Sequence, residues 1–248
     1  MKKKMVFISL IIYWSAIFIL THIPVPHMIS RIGCSDKTLH FFAYIILSFV
    51  LWPNIDSGKV NFKNRKVWYA LAAVALYAVA DEWLQGFVGR SPDIQDYLFD
   101  MAGATCGFVF LSIVPFWPAT VVLISASIFF LNKFLQLNTR IPSLILLNIC
   151  FWFFCYGMLT FAWIRCLAMF KPNLAGKTWL IYAFFVPAGF LAAMEIFSAV
   201  TYNRFKLIWA AAALVGIATT TVWNYTAKIT CGQKVCTKGR LSGEAARN

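Results

Sequence analysis

Short polar breaks cut this chain into apolar blocks of about 16–24 residues, and that segmentation limits the folds open to it. A helix rises about 1.5 Å per residue, so roughly 20 apolar residues cross a hydrocarbon layer of about 30 Å. Eight blocks meet that length: about 5–22, 38–53, 67–88, 95–115, 118–136, 143–164, 178–200 and 206–226. In lipid each segment must satisfy its own backbone polar groups. The expected fold is therefore all-α, a polytopic membrane helix bundle of eight transmembrane helices. The chain is 61 % hydrophobic, where a soluble domain holds about 45–50 %. Only Pro115-Phe116-Trp117-Pro118 separates the fourth block from the fifth, and one bent helix there would reduce the count to seven.

The net charge of +13 would suggest nucleic acid in a soluble protein. Here the basic residues lie in the breaks, where they orient the chain and meet anionic headgroups, so no nucleic-acid partner is expected. With eight spans, fifteen of the 22 basic residues fall on the side of the N-terminus: Lys2, Lys3, Lys4, Lys59, Lys63, Arg65, Lys66, Arg165, Lys171, Lys177, Lys228, Lys234, Lys238, Arg240 and Arg247. Seven fall on the other: Arg31, Lys37, Arg90, Lys133, Arg140, Arg204 and Lys206. The asymmetry predicts both termini in the cytoplasm. The opening MKKK and apolar run has no small-x-small cleavage site and reads as an uncleaved first span. The stretch from Lys228 reads as a mobile cytoplasmic tail.

Charge is scarce, yet five of the nine carboxylates sit between Asp81 and Gly107. The third span closes with Asp81, Glu82 and Gln85. The chain turns at Gly89-Arg90-Ser91-Pro92, and the fourth span opens with Asp93, Asp96 and Asp100. Asp96, Asp100, Gly103 and Gly107 share one helix face, and the two glycines let another helix approach it. Asp93 suits a helix cap. On the second span Asp36, His40 and Tyr44 form a stripe at i, i+4 and i+8, and Lys37 is placed to pair with His40. His22 ends the first span. Burying an isolated carboxylate in a bilayer costs at least about 2.5 kcal/mol, so these groups must pair, protonate or face water. Lys37, Arg90 and His40 are too few cations for Asp36, Asp81, Glu82, Asp93, Asp96 and Asp100. The surplus points to a cationic ligand, a metal or proton carriage.

Two motifs here resemble the VanZ-like family of bacterial membrane proteins. One is Asp36-Lys37-Thr38-Leu39-His40-Phe41-Phe42-Ala43-Tyr44. The other is Asp81-Glu82-Trp83-Leu84-Gln85, then Gly89-Arg90-Ser91, Asp96, Asp100, Gly103 and Gly107. The resemblance covers about residues 1–115. It departs in the turn, where the family commonly has Pro-Gly-Arg and this chain has Val88 before Gly89. It implies a four-helix module whose founding member is linked to low-level teicoplanin resistance, and it supplies no reaction.

The organisation expected is a VanZ-like module over 1–115, a further four-helix membrane region over 116–227 and a tail over 228–248. Asn132, Asn138, Asn148, Glu195 and Asn224 in the later spans match no motif. No internal repeat is visible, and pairing Asp81-Glu82 with Glu195 as a duplicated half is not supported. Glu195, near the outer end of the seventh span, either joins the same outer site or, as the simpler expectation, pairs with Arg204 or Lys206.

The reading is a multi-pass protein of the cell membrane. Its polar cluster comprises Asp36, Lys37, His40, Tyr44, Asp81, Glu82, Gln85, Arg90, Ser91, Asp96 and Asp100, with Gly103 and Gly107 for packing. The cluster would bind a cell-wall precursor, a lipid-linked ligand or a glycopeptide on the outer side. A proton-linked transporter or flippase, or a membrane enzyme on a lipid-linked substrate, are the alternatives. No H-E-x-x-H, G-x-S-x-G or phosphate loop is present, so no catalytic residue, cofactor or metal is assigned. Cys231 and Cys236 lack the further ligands of a zinc site.

Overall fold

The computed structural model describes residues 3–22, 35–56, 58–88, 93–137, 145–174, 176–202 and 207–245. Among them all regular structure is helical: α1 (Lys3–His22), α2 (Asp36–Ile55), α3 (Arg65–Gln85), α4 (Ile94–Ile113), α5 (Phe116–Leu137), α6 (Ile145–Phe170), α7 (Gly176–Tyr202) and α8 (Leu207–Ala245). Six of these are long and apolar enough to cross a membrane, and α1 and α5 carry the shorter apolar stretches Val6–Ile19 and Phe116–Asn132. Large apolar side chains such as Leu76 and Val200 face outward, 73 % and 81 % exposed. An exterior this apolar suits lipid.

Polar residues between the blocks start the helices. Ser35 Oγ accepts the Thr38 N–H at 3.2 Å, Asn64 Oδ1 the Lys66 N–H at 3.0 Å and Asp93 Oδ1 the Gln95 N–H at 2.8 Å. Each satisfies one of the donors a helix leaves unpaired at its start. Val114 is extended (ψ 135°) before Pro115, so α4 and α5 are separate helices rather than one bent rod. Two bounds differ from the sequence reading. The third span stops being α-helical at Gln85, and residues 86–88 form a 3-10 turn. The stretch expected as a mobile tail is helical as far as Ala245, no proline interrupting it.

The chain packs as two compact units, Met1–Leu123 and Ile124–Asn248, dividing within α5. In the first, successive helices run in alternating directions. Asn54 Nδ2 reaches the Val6 carbonyl and Lys59 Nζ the Ile113 carbonyl at one end. Thr21 meets Asp81 and Lys37 meets Asp93 at the other. The closest approach is α2 on α4. A Cβ on Gly103 would run into the Phe41 carbonyl, and one on Gly107 would lie 2.8 Å from Ser48 Cβ. Ser48 Oγ donates to the Ala104 carbonyl across this seam at 3.0 Å. Tyr44, Leu47, Trp52, Val74, Ala78 and Phe108 are buried around it.

The second unit repeats that plan. Its second and fourth helices, α6 and α8, meet where a Cβ on Gly216 would run into the Phe153 carbonyl. Gly216 follows Gly103 by 113 residues, and Phe153 follows Phe41 by 112. The same offsets carry buried Tyr44 to buried Tyr156 and buried Ser48 to buried Thr160. Thr160 Oγ1 donates to the Tyr156 carbonyl as Ser48 Oγ donates to that of Tyr44. They also carry Ile94, first residue of α4, to Leu207, first residue of α8, and Glu82 to Glu195. The expectation of no internal repeat is thus corrected. The equivalence rests on small, aromatic and hydroxyl side chains at packing positions and on one glutamate, while the other polar letters that would have revealed it have changed.

A seam this tight predicts a specific sensitivity. Gly103→Val and Gly216→Val should each lower thermal stability in detergent by about 1–3 kcal/mol, the usual cost of overpacking. Gly189→Ala, where nothing lies within 4 Å of the added carbon, should be neutral or gain up to about 1 kcal/mol of helix propensity.

Candidate functional site

The ends of α1, α2, α3 and α4 that face one way hold a buried polar cluster. His40 lies one turn into α2, 4 % exposed, and its Nδ1 meets Asp100 Oδ1 of α4 at 2.9 Å. The approach at Gly103, one turn below Asp100, sets that distance. His40 Nε2 lies 3.9 Å from Asp96 Oδ2. Lys37 turns away from His40, contrary to the i, i+3 expectation. Its Nζ is 2.8 Å from Asp93 Oδ2 and 3.7 Å from Asp96 Oδ1. The Lys37 ammonium, followed by the Gln95 N–H, holds the Asp93 carboxyl below the usual carboxylate range.

On α3, Glu82 Oε2 accepts the Asp93 N–H at 3.0 Å. Asp81 Oδ2 accepts from Gln85 Nε2 at 3.1 Å, and its Oδ1 from Thr21 Oγ1 of α1 at 3.0 Å. His22 Nδ1 is 3.7 Å from the same Asp81 oxygen. Asp81 and Asp100 are almost fully buried, as are Gln85 and Tyr44. Five buried atoms in and beside the cluster make no hydrogen bond of good geometry among the described residues: Glu82 Oε1, Asp100 Oδ2, His22 Nε2 and the Tyr44 and Tyr77 hydroxyls.

Nine of the eleven cluster residues expected from sequence thus come to one place: Asp36, Lys37, His40, Tyr44, Asp81, Glu82, Gln85, Asp96 and Asp100. Arg90 and Ser91 lie outside the described residues. Asp36 is half-buried in the first turn of α2 and can share a point with His40 and Asp96. Asp93 combines a cap with an ion pair. Thr21 and Tyr77 were not singled out, and His22 was noted only as the end of the first span. Their signal was positional, since Thr21 and His22 end the first span at the level where the third closes. Tyr77 stands one turn before Asp81.

Residues 5–117 match the family model described as VanZ/LLP1. Over that stretch, a little under half of its length, the chain is similar to the VanZ/LLP1 family. The match spans α1 to α4 and contains every residue of the cluster; α6, α7 and α8 lie beyond it. No curated protein and no solved structure matches the chain significantly.

The VanZ-like cluster sets up two measurable expectations. Gln85→Leu strips a donor from a buried carboxylate and should cost about 1–3 kcal/mol of stability in thermal unfolding. Asp93→Asn keeps a cap acceptor and loses only the charge, so it should lower the melting temperature less than Asp93→Ala does. Because the Asp93 pKa is depressed, its contribution is complete above the ordinary carboxylate pKa and fades as pH falls through the lowered value. The gap between wild type and Asp93→Asn should therefore close in acid.

Proposed function

We propose that this VanZ-like membrane protein binds a lipid-linked ligand of the bacterial cell envelope at the acidic cluster on the outer face of the membrane. The observation that carries the reading is an apolar groove beside the polar cluster in the same unit. The groove, about 470 Å³, runs between α1 and α3 and is lined by Ile11, Trp14, Ser15, Phe18, Ile19 and Tyr77. Tyr77 connects the two regions. Its ring stands edge-on to Trp14 at 5.1 Å and lies 6.2 Å from that of Tyr44, next to Asp100. Phe18 packs on the His22 ring at 4.1 Å, just below Asp81.

An amphiphile fits this pairing of surfaces. Its hydrocarbon chain would lie in the groove and its polar head would sit among Asp81, Glu82, Asp96 and Asp100. Apolar lining with a few convergent polar groups is the usual make-up of a small-molecule site. The fifteen-to-seven split of basic residues supports the outward orientation. The family resemblance supports a cell-wall ligand, with a glycopeptide of the teicoplanin type as the competing occupant.

Purified protein in nanodiscs, titrated with a polyprenyl-diphosphate-linked sugar and separately with teicoplanin, tests the reading. The lipid should bind saturably. Glu82→Gln should weaken it about 10–100-fold, the loss of one charge-assisted contact. Ser15→Trp, which fills the groove, should weaken the lipid and leave a headgroup-only analogue unaffected. Binding of teicoplanin alone, or lipid binding indifferent to both variants, would overturn it. A reporter fused after Arg240 should be cytoplasmic.

A further inference from the structure

We infer that His40, Glu82 and Asp100 form a site for one first-row divalent cation per chain, of the Mn²⁺ or Zn²⁺ class. The inference rests on the same cluster as the lipid-binding reading and names what fills its centre. One ligand atom from each of the three residues lies within 4.8 Å of the other two. Donors around a metal at about 2.1 Å sit roughly 3.0–3.4 Å apart, so side-chain adjustment alone closes the site. All three come from rigid helices, α2, α3 and α4, and are 4 %, 7 % and 0 % exposed.

A second observation points to a ligand. Glu82 Oε1 and Asp100 Oδ2 are both buried and make no hydrogen bond of good geometry among the described residues, the Tyr44 hydroxyl lying beside Asp100. Their sister oxygens are already engaged, Glu82 Oε2 by the Asp93 N–H and Asp100 Oδ1 by His40 Nδ1. Leaving two such acceptors unsatisfied costs about 1–3 kcal/mol each, more when charged. A cation between them removes that cost. One imidazole with two carboxylates suits Mn²⁺, Fe²⁺ or Zn²⁺, whereas Ca²⁺ favours an all-oxygen shell. Binding through Nδ1 would replace the 2.9 Å contact between His40 Nδ1 and Asp100 Oδ1 by an ion shared between the two, and would leave the Nε2–H 3.9 Å from Asp96 Oδ2, on the side where metal-bound histidines commonly have a carboxylate.

A competing trio, Asp36, His40 and Asp96, is also close enough to share an ion. It is the poorer site, because the Lys37 ammonium stands 3.7 Å from Asp96 and would repel a cation. The second unit explains the stoichiometry of one. At the equivalent positions it has Trp152 for His40, Met194 for Asp81, Glu195 for Glu82, Trp209 for Asp96 and Ala213 for Asp100. These residues and Tyr156, the counterpart of Tyr44, line a cavity of only about 10 Å³. One carboxylate and two tryptophans cannot hold such an ion there. A cation in the first unit also reconciles an acidic site with a lipid phosphate. The metal would lie between the carboxylates and an anionic headgroup that they would otherwise repel.

The full-length protein in detergent, stripped with EDTA and titrated with Mn²⁺ under electron paramagnetic resonance, tests this without lipid. Wild type should bind one Mn²⁺. Glu82→Gln and Asp100→Asn should each weaken binding at least tenfold, while Asp36→Asn leaves it within about twofold. Thermal unfolding identifies any variant that fails to fold, and Glu82→Asp then serves as a carboxylate-retaining control that keeps part of the affinity. No saturable site in wild type, or a site lost with Asp36→Asn and kept in Glu82→Gln, overturns the assignment. Lipid binding unchanged by EDTA overturns the bridging role and spares the lipid reading. Metal binding without lipid binding does the reverse.

Discussion

The seating of Gly103 on the Phe41 carbonyl is the contact on which the polar cluster depends. His40 immediately precedes Phe41, and Asp100 stands one turn before Gly103. Helices that meet without a side chain between them bring those two groups to 2.9 Å. A larger residue at Gly103 would part the backbones and leave His40 and Asp100 buried but separated. Removing one partner of a buried charged pair typically costs about 3–5 kcal/mol, and separation approaches that limit. The seam therefore serves the packing and makes burial of the cluster tolerable. The Ser48 hydroxyl, donating to the Ala104 carbonyl, reinforces it one turn further along.

Around that seam, polarity is graded by depth. Lys37, Asp93 and Asp96 form the outermost layer, where one lysine meets two carboxylates. His40, Glu82 and Asp100 lie beneath, and Asp81 is enclosed by Thr21, Gln85 and His22. The lysine is spent on the outer pair, so among the described residues only imidazoles remain for the inner carboxylates. That arithmetic makes the inner layer suited to a cation. The Trp14–Tyr77 edge of the groove borders the same layer, so hydrocarbon and charge meet within one helix turn.

Much of this was legible in the sequence. Block length and polar breaks define helices that cross lipid, and the i, i+4 spacings of Asp36, His40, Tyr44 and of Asp96, Asp100, Gly103 put each set on one face. Physics ties those signals to position: a carboxylate in an apolar block must face protein. Partner choice was not legible. Lys37 was equally able to reach His40 or Asp93, and only the spacing between α2 and α4 decides for Asp93. The contribution of α1 was also hidden, because Thr21 and His22 are ordinary residues for a helix end until Asp81 is seen beside them. The helical stretch beyond Lys228 was missed because polarity without proline says little about helicity.

The repeat was invisible for a reason that bears on the site itself. What the two units share is what packing needs: the glycine under a phenylalanine carbonyl, the buried tyrosine, the hydroxyl bonded back to it. What they do not share is His40, Asp81, Asp96 and Asp100, which become Trp152, Met194, Trp209 and Ala213. Had His40, Asp81, Asp96 and Asp100 been required to hold four helices together, the second unit would need them too, whereas of the acids it keeps only Glu195, the counterpart of Glu82. It closes over the same location with tryptophan instead, with a glycine seated under a phenylalanine carbonyl in the same way. Burying charge is costly, and a fold that can be built without it has no structural reason to keep it. The second unit is therefore an internal control within one chain. It shows that Gly103, Tyr44 and Ser48 stand at positions the packing keeps, and that the packing does not require His40, Asp81, Asp96 and Asp100.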